Sequence, residues 1–418
     1  MSSSQNNPAI AGKKNSVRIS TKLWFGLGAT GESTTNWIFN ALAFIYYQQI
    51  LGLSGTLTGA AVLVGILSDA FTDPVMGSIS DSFRSRFGRR HPFMFAAPIP
   101  LAASVFLMFN PPESVILNQT LLFSWFLIFT VLMRSLLTLF AVPHLAMGAE
   151  LSSDYIERSK IMSYNNLFGF YGGFLMHCFV WFLIFGYLFE DRGGQLHGPA
   201  YQPIVLFCCA LIVLAIMGCA WFTRDQIPKL MAPDNTPPFT VLKLFTDIWA
   251  ALKNTHYRYL LLGLFFLSMT IGTHETLAIY MGTFFWELSP YQIGWLVVSS
   301  VIGYHIGFTL TSVAHRHFDK RWTIVGAAAG LSVFWSTAVT LRLLGLAPEN
   351  STWGLVAFII SIGIFSSACG SQFGSPFFSR KISKICTCER QATRAQISSS
   401  STDPTESTIN AHIVDARD

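Results

Sequence analysis

The sequence is poor in charge. Only 12% of its 418 residues are Asp, Glu, Lys or Arg, whereas about a quarter is usual in soluble domains. Hydrophobic residues make up 51% of the chain. Apolar segments of about 20 residues recur, and each is long enough to cross a bilayer as a helix. This composition excludes a soluble globular class and predicts an all-α membrane protein in contact with the lipid bilayer.

The sequence also lacks the short motifs of common enzymes. It contains no His-Glu-x-x-His, no Gly-x-Ser-x-Gly and no phosphate-binding P-loop. Its seven cysteines lie mostly in apolar spans, and Cys386-Thr-Cys388 lacks the spacing of a zinc site. We therefore expect no catalytic residues, no resident cofactor and no nucleic-acid partner.

The N-terminus does not have the pattern of a cleaved signal peptide. Residues 1–22 are polar and basic, the apolar span after them is too long for a signal core, and no small-residue cleavage site ends it. We expect this segment to remain as a cytoplasmic tail.

Ten membrane spans are expected, and the loops between them alternate in charge. The loops after the even-numbered spans hold nearly all the lysines and arginines, so the positive-inside rule places them and both termini in the cytoplasm. The expected location is the plasma membrane, which would be the inner membrane in a bacterium. The spans are about 23–50, 55–78, 93–110, 121–146, 162–188, 203–222, 257–284, 292–314, 322–344 and 352–373.

A long basic loop that carries prolines separates six spans from four. Six helices, a cytoplasmic linker and a second bundle are typical of transporters built from two parallel repeats. The last part of the chain is rich in Ser, Thr and Asp and predicts a disordered tail. The predicted division is an N-terminal tail (1–22), a six-helix bundle (23–222), a central cytoplasmic loop (223–256), an incomplete bundle of four spans (257–373) and a polar cytoplasmic tail (374–418).

Two carboxylates stand one helical turn apart in the second span. Asp69 and Asp73 would share one helix face with their Cβ atoms about 6 Å apart. Two ionised carboxylates at that distance repel by about 3 kcal/mol at an effective dielectric of about 20. Intramembrane acids are costly and usually functional. The residues themselves leave open whether a small cation, a shared proton or a basic partner neutralises the pair, and Asp73 before Pro74 could instead mark a helix end.

Three motifs carry a resemblance to a known family. They are Ser68-Asp-Ala-Phe-Thr-Asp-Pro-Val-Met-Gly77 with Gly88-Arg-Arg-His-Pro92, Gly26-Leu-Gly-Ala-Thr-Gly31, and Pro143-His-Leu-Ala-Met-Gly-Ala-Glu150. In order and spacing they resemble the melibiose-permease-like glycoside–pentoside–hexuronide:cation symporters of the major facilitator superfamily. The resemblance covers about residues 20 to 370. It implies a two-bundle helical transporter that works by alternating access and couples solute uptake to Na⁺, H⁺ or Li⁺.

The resemblance also implies a cation site. Asp69 and Asp73 match the cation-binding carboxylates of the family, and they would be the metal ligands if the coupling ion is Na⁺. Thr72 stands where many members have an asparagine at the ion site, and Thr138 matches a threonine of the fourth span that lends its hydroxyl. Oxygen ligands of this kind are what hard cations prefer.

The chain departs from the family at the solute pocket. The two aspartates that hold sugar hydroxyls in melibiose-permease-like members are replaced here by Ser33 and Ala141. Arg134 lies on the same helical face as Thr138 and Ala141, and an arginine in mid-span normally faces a cavity or an acidic partner. These changes suggest an acidic solute such as a uronate. Further pocket candidates are Glu32 (a counter-ion of Arg134 or a substitute ligand), Trp37, His274 and Glu275.

A charged cluster follows the second span. The family comparison implies that it is a cytoplasmic gate, whereas charges that only set the membrane topology would give a similar pattern. The candidate gate residues are Asp81, Arg84, Arg89 and Arg90.

The sequence favours cation-coupled symport of a sugar, glycoside or uronide by a monomer. One alternative is a symporter of another solute, such as a lysolipid. A second is a non-transporting product, because the family continues with two more spans where this chain has its polar tail.

Overall fold

A computed structural model gives the fold of the chain. It describes residues 17–229, 252–253, 255–317, 320–350 and 352–370. The chain separates into two compact units, Met1–Gly294 and Trp295–Asp418, and each is described here by itself.

The described part of the first unit is built from helices. The longest helices before residue 229 are α2 and α6, and each contains a proline, Pro74 in α2 and Pro143 in α6. In chain order the helices are α1 (Ile19–Ile38), α2 (Gly55–Ser82), α3 (His91–Ala96), α4 (Pro98–Met108), α5 (Glu113–Ile116), α6 (Gln119–Glu150), α7 (Tyr155–Cys178), α8 (Tyr201–Phe222) and α9 (Thr255–Tyr280).

Three of these helices continue as wider π-helical turns. The continuations are Phe39–Ala43 and Tyr46–Ile50 after α1, Phe179–Leu188 after α7, and Met281–Phe285 after α9. Each lies at the end of a span that the charge pattern assigns to the outer side of the membrane. Side-chain hydrogen bonds tie these turns to their neighbours, for example from the hydroxyl of Tyr47 to the carbonyl of Met108 (2.5 Å).

The remaining helices are α10 (Pro290–His317), within which the first unit ends, α11 (Lys320–Leu343) and α12 (Trp353–Gly370). In the second unit, α11 packs against α12. Among the described residues of the whole chain, six helical segments are long and apolar enough to cross a membrane, and a seventh apolar helix is shorter.

Each predicted span coincides with a helix in the described residues, which confirms the all-α class. Most of the predicted central loop and both predicted tails lie outside the described residues. The proposed division into an N-terminal bundle, a loop and an incomplete second bundle therefore stays a prediction.

Glycine allows two pairs of helices in the first unit to approach closely. A Cβ atom at Gly172 in α7 would lie 2.8 Å from a methyl carbon of Thr30 in α1, which is too close for any other residue without a shift. A Cβ at Gly65 in α2 would likewise overlap the methyl group of Thr130 in α6. Small residues at helix contacts permit this approach in membranes. The contact between α2 and α6 brings the acidic face of α2 against α6.

A buried ion pair joins the start of α1 to the start of α7. Lys22 Nζ lies 2.5 Å from Glu157 Oε1, and their side chains are only 7% and 5% exposed. The same carboxylate oxygen accepts a hydrogen bond from the backbone N–H of Val17 (3.0 Å). On the other side Glu157 meets Lys160, whose side chain is 60% exposed, at 3.6 Å.

Removing the buried lysine should destabilise the protein far more than removing the exposed one. Lys22→Met leaves the Glu157 carboxylate buried without its close partner, which costs about 3 kcal/mol in comparable cases, whereas Lys160→Met breaks an exposed contact that is worth at most about 1 kcal/mol. Thermal unfolding of the two purified variants in detergent measures the difference. Equal shifts of the unfolding midpoint would show that Lys22 contributes no more than a surface charge.

Candidate functional site

The two aspartates lie on one unbroken helix. Pro74 falls inside α2, which runs on to Ser82, so Asp73 does not end a helix. A proline within a helix has no N–H to donate to the carbonyl four residues earlier. The carbonyl of Ala70, which lies between the two aspartates in sequence, therefore lacks its usual helical donor.

Arg134 of α6 reaches across to α2 and α1. Its Nη1 atom lies 3.4 Å from Asp69 Oδ2 and donates a hydrogen bond to Asn36 Oδ1 at 3.2 Å. The guanidinium carbon stands 4.8 Å from the ring centroid of Phe39, in the geometry of a cation–π contact. The side chain of Arg134 is only 12% exposed. Asp69 is therefore its ion-pair partner, while Asn36 and Phe39 hold the guanidinium on its other sides.

The second aspartate is held by hydroxyl groups. Thr138 Oγ1 donates a hydrogen bond to Asp73 Oδ1 at 2.7 Å, and Thr72 Oγ1 lies 3.5 Å from Thr138 Oγ1, the far limit of a hydrogen bond. The structure thus brings together all four residues that the family resemblance assigns to a cation site.

Carboxyl groups outnumber basic groups in this cluster. Asp69 and Asp73 interact electrostatically with each other and with Arg134. Glu32 of α1 interacts with Asp73 rather than serving as the ion-pair partner of Arg134. These interactions therefore link three carboxyl groups, Glu32, Asp69 and Asp73, and one guanidinium, which forms an ion pair with Asp69.

Two atoms of the central ion pair are buried without a hydrogen-bond partner. They are Oδ1 of Asp69 and Nε of Arg134. An arginine–carboxylate pair often forms two parallel hydrogen bonds, whereas this pair makes one long contact. No group of three His, Cys, Asp or Glu side chains arranged to hold a metal ion is found among the residues the structure describes. The oxygens available to a cation are those of Asp69, Asp73 and Thr138.

The other pocket candidates lie on several helices. Ser33 Oγ would stand 2.9 Å from a Cβ at Gly173, so Ser33 faces α7. Trp37 meets the buried His177 of α7 edge to face, with ring centroids 5.9 Å apart. Ala141 lies on α6, and His274 is an exposed side chain of α9. Glu275 follows on α9, but its side chain lies outside the described residues.

A second charged cluster lies at the C-terminal end of α2. Arg90 Nη2 is 3.0 Å from Asp81 Oδ1, and Arg90 also contacts Glu150 at the end of α6. Arg89 Nη2 reaches the same Glu150 oxygen at 2.5 Å. Arg89 and Arg90 therefore meet at Glu150, and Asp81 joins them through Arg90. Arg84 is exposed in the loop.

The sequence profile of the family described as MFS/sugar transport protein matches residues 24–383, which is most of the chain. This chain belongs to the MFS/sugar transport family. The family resemblance is thereby confirmed, and so is the multi-pass membrane character that it implies.

Curated relatives of this family member include named symporters. One is an uncharacterized symporter of Synechocystis sp., 29% identical over 48% of this chain and 37% of that protein. Another is an inner membrane symporter of Escherichia coli strain K12, 22% identical over 84% of this chain and 72% of that protein. A third is sodium-dependent lysophosphatidylcholine symporter 1 of Mus musculus, which is 29% identical over 36% of this chain and 29% of that protein. The chain thus spans little more than a third of the first relative.

A solved structure shares the fold. The match to the crystal structure of a D-xylose-proton symporter covers 84% of this chain and 79% of that chain, with a TM-score of 0.52 and 15% sequence identity. At that identity the likeness supports the helical transporter fold alone.

Sequence reasoning did not single out three residues that organise these sites. Asn36 and Phe39 hold Arg134, and Glu150 accepts from both gate arginines. A signal existed for two of them. Asn36 lies one helical turn after Glu32, and Glu150 ends the third family motif. No pattern in the sequence pointed to Phe39 among so many phenylalanines.

Removing the charge of Glu150 should loosen the loop after α2. In Glu150→Gln the guanidinium groups of Arg89 and Arg90 lose their shared carboxylate, so backbone amides of residues 81–90 should exchange hydrogen for deuterium faster. Glu113→Gln is the matched control, because Glu113 is exposed on α5. Unchanged exchange in Glu150→Gln would mean that the ion pairs do not hold this loop.

Proposed function

We propose that this chain carries a sugar-like or glycoside-like solute across the plasma membrane together with Na⁺ or H⁺, by alternating access. Membership of the MFS/sugar transport family supports transport, and relatives named as symporters support coupling to an ion. Transport, rather than catalysis on the solute, is the activity we propose.

The observation that carries this proposal is the excess of carboxyl groups over basic groups between α1, α2 and α6. Each carboxylate placed in a membrane costs on the order of 2.5 kcal/mol or more, and Arg134 pairs with only Asp69 of the three. A chain that keeps the other carboxylates needs a further cation or a proton. A transporter coupled to Na⁺ or H⁺ supplies one in each cycle.

In the proposed cycle the coupling ion binds between Asp69 and Asp73. The unpartnered Oδ1 of Asp69, the carboxylate of Asp73 and the hydroxyl of Thr138 are oxygens of the kind that Na⁺ or Li⁺ prefers. A proton shared by the two carboxylates would neutralise the same excess. The coupling ion is a transported substrate here, and no resident cofactor is proposed.

The solute that fits best is an anionic glycoside or uronide. Ser33 and Ala141 stand where sugar-binding aspartates are implied by the resemblance, while Arg134 is held nearby on α6 with a free Nε–H. A guanidinium binds carboxylate and phosphate groups well because of its planar array of donors. The mouse relative named as a lysophosphatidylcholine symporter makes a phosphate-bearing lipid the second candidate.

Transport in vesicles should depend on Asp73. In right-side-out vesicles that contain the protein, addition of the right member of a panel of neutral glycosides, acidic glycosides and lysophosphatidylcholine should start uptake of radiolabelled Na⁺ or a pH change. Asp73→Asn should abolish this ion movement because it removes one carboxylate from the site. Asp154→Asn is the matched control, since Asp154 caps the start of α7 outside the cluster.

The same assay separates the alternatives. If lysophosphatidylcholine is the one solute of the panel that starts ion movement, the proposed solute is the lipid and not a glycoside. No solute-dependent ion movement, by a protein shown to be inserted and stable, would contradict symport and favour a non-transporting product.

The preference for an anion should depend on Arg134. Arg134→Gln should lower the uptake of an anionic solute at least about tenfold, which corresponds to the loss of about 1.4 kcal/mol of binding, and should change the uptake of neutral glycosides much less. Arg192→Gln, in the loop after α7, is the matched control. Unchanged uptake of an identified anionic solute in Arg134→Gln would rule out the arginine as its binding group.

A further inference from the structure

We propose that Arg134 is a displaceable internal counter-ion that competes with the coupling cation for Asp69. Binding of the cation would then release the guanidinium to an anionic solute. The inference rests on the proposed cation site, but it concerns what occupies Asp69 when no cation is bound. It assigns to Arg134 a role in coupling besides the recognition of the solute.

The ion pair between Arg134 and Asp69 is loose. Arg134 and Asp69 make one contact of 3.4 Å, and each keeps a buried atom with no hydrogen-bond partner, Nε and Oδ1 respectively. A pair that served only to stabilise the fold would gain from using both atoms, since buried polar atoms without partners are costly. Each group therefore has capacity for a second ligand.

The guanidinium of Arg134 also has contacts that do not involve Asp69. Its Nη1 atom is shared between Asp69 of α2 and the amide oxygen of Asn36 of α1, and its face lies over Phe39. When a cation takes Asp69, Asn36 and Phe39 can keep the guanidinium in place. The arginine therefore does not need to leave the cluster to be displaced from the carboxylate.

The second aspartate, Asp73, lies outside the ion pair of Arg134. Asp73 is held by Thr138 and has no ion pair with Arg134 in the described residues. A cation attracted by Asp73 would meet Asp69 one turn away on the same helix, with the unpartnered Oδ1 available. Cation and guanidinium then draw on the same carboxylate, and the binding of either weakens the binding of the other.

This competition couples the cation to an anionic solute without direct contact between them. An anion that binds the guanidinium withdraws it from Asp69 and so strengthens cation binding. By thermodynamic linkage, the cation strengthens binding of the anion by the same factor. Arg134 would thus transmit the coupling through the exchange of one ion-pair partner.

The test is cation binding to the purified full-length protein, without any solute. Binding of Na⁺, and separately of Li⁺, is measured by isothermal titration against choline as the reference cation. Arg134→Gln removes the competitor and should raise the Na⁺ affinity at least about fivefold, the low end of couplings between sites. Arg192→Gln, the same substitution outside the cluster, should leave the affinity unchanged.

A second variant separates competition from a simple field effect. Asn36→Leu keeps every charge but removes the acceptor that draws Nη1 away from Asp69, so the arginine should hold Asp69 more firmly and Na⁺ should bind more weakly. Tighter binding in Arg134→Gln with weaker binding in Asn36→Leu supports the proposal. Asn36→Leu decides alone if Arg134→Gln does not fold.

The contrary outcomes are distinct. Unchanged Na⁺ affinity in Arg134→Gln overturns the competition but leaves a cation site in place. An unchanged or higher affinity in Asn36→Leu also overturns it, in favour of a long-range field effect. If neither the natural protein nor Arg134→Gln binds Na⁺ or Li⁺, the competition with a metal cation is wrong, while proton-coupled symport is judged by the vesicle assay.

Discussion

Asp69 and Asp73 place two carboxyl groups one helical turn apart inside a membrane, and the packing around α2 has to accommodate them. Asp69 and Asp73 repel each other, and lipid gives them no solvation. The fold responds by bringing α6 so close to α2, at Gly65, that Arg134 and Thr138 reach the two acids. The helix contact at Gly65 therefore also positions the residues of the proposed cation site.

The charged clusters of the first unit differ in their ratio of acidic to basic groups. In the cluster at the end of α2, two arginines meet two carboxylates, Asp81 and Glu150. Glu157 similarly has lysine partners. These groups neutralise one another and can act as clamps. In the cluster around Arg134, by contrast, the three carboxyl groups of Glu32, Asp69 and Asp73 outnumber the one guanidinium. This excess of acidic groups is what the proposed coupling ion would neutralise.

The sequence was enough to predict what depends on local spacing. Apolar runs predicted where the helices lie. The four-residue spacing predicted that Asp69 and Asp73 share one helix face, and that Arg134 and Thr138 share another. It could not decide which acid Arg134 would meet, because Glu32 and Asp69 were both suitable partners. Asn36, which is 98 residues before Arg134 in the chain, could be assigned to it only by distance in three dimensions. The contact of Glu150 with the gate residue Arg90, 60 residues away in sequence, could not be predicted for the same reason.

The π-helical ends of α1, α7 and α9 bear on how relatives should be aligned. A π turn accommodates one more residue than an α turn. No residue type in Phe179–Leu188 or Met281–Phe285 indicates a π turn in the sequence. A homologue with ordinary turns at these places would be shorter within the helix and not in the loop. Gaps should therefore be allowed inside these spans, since a gap forced into a neighbouring loop would shift the pocket-facing positions out of register.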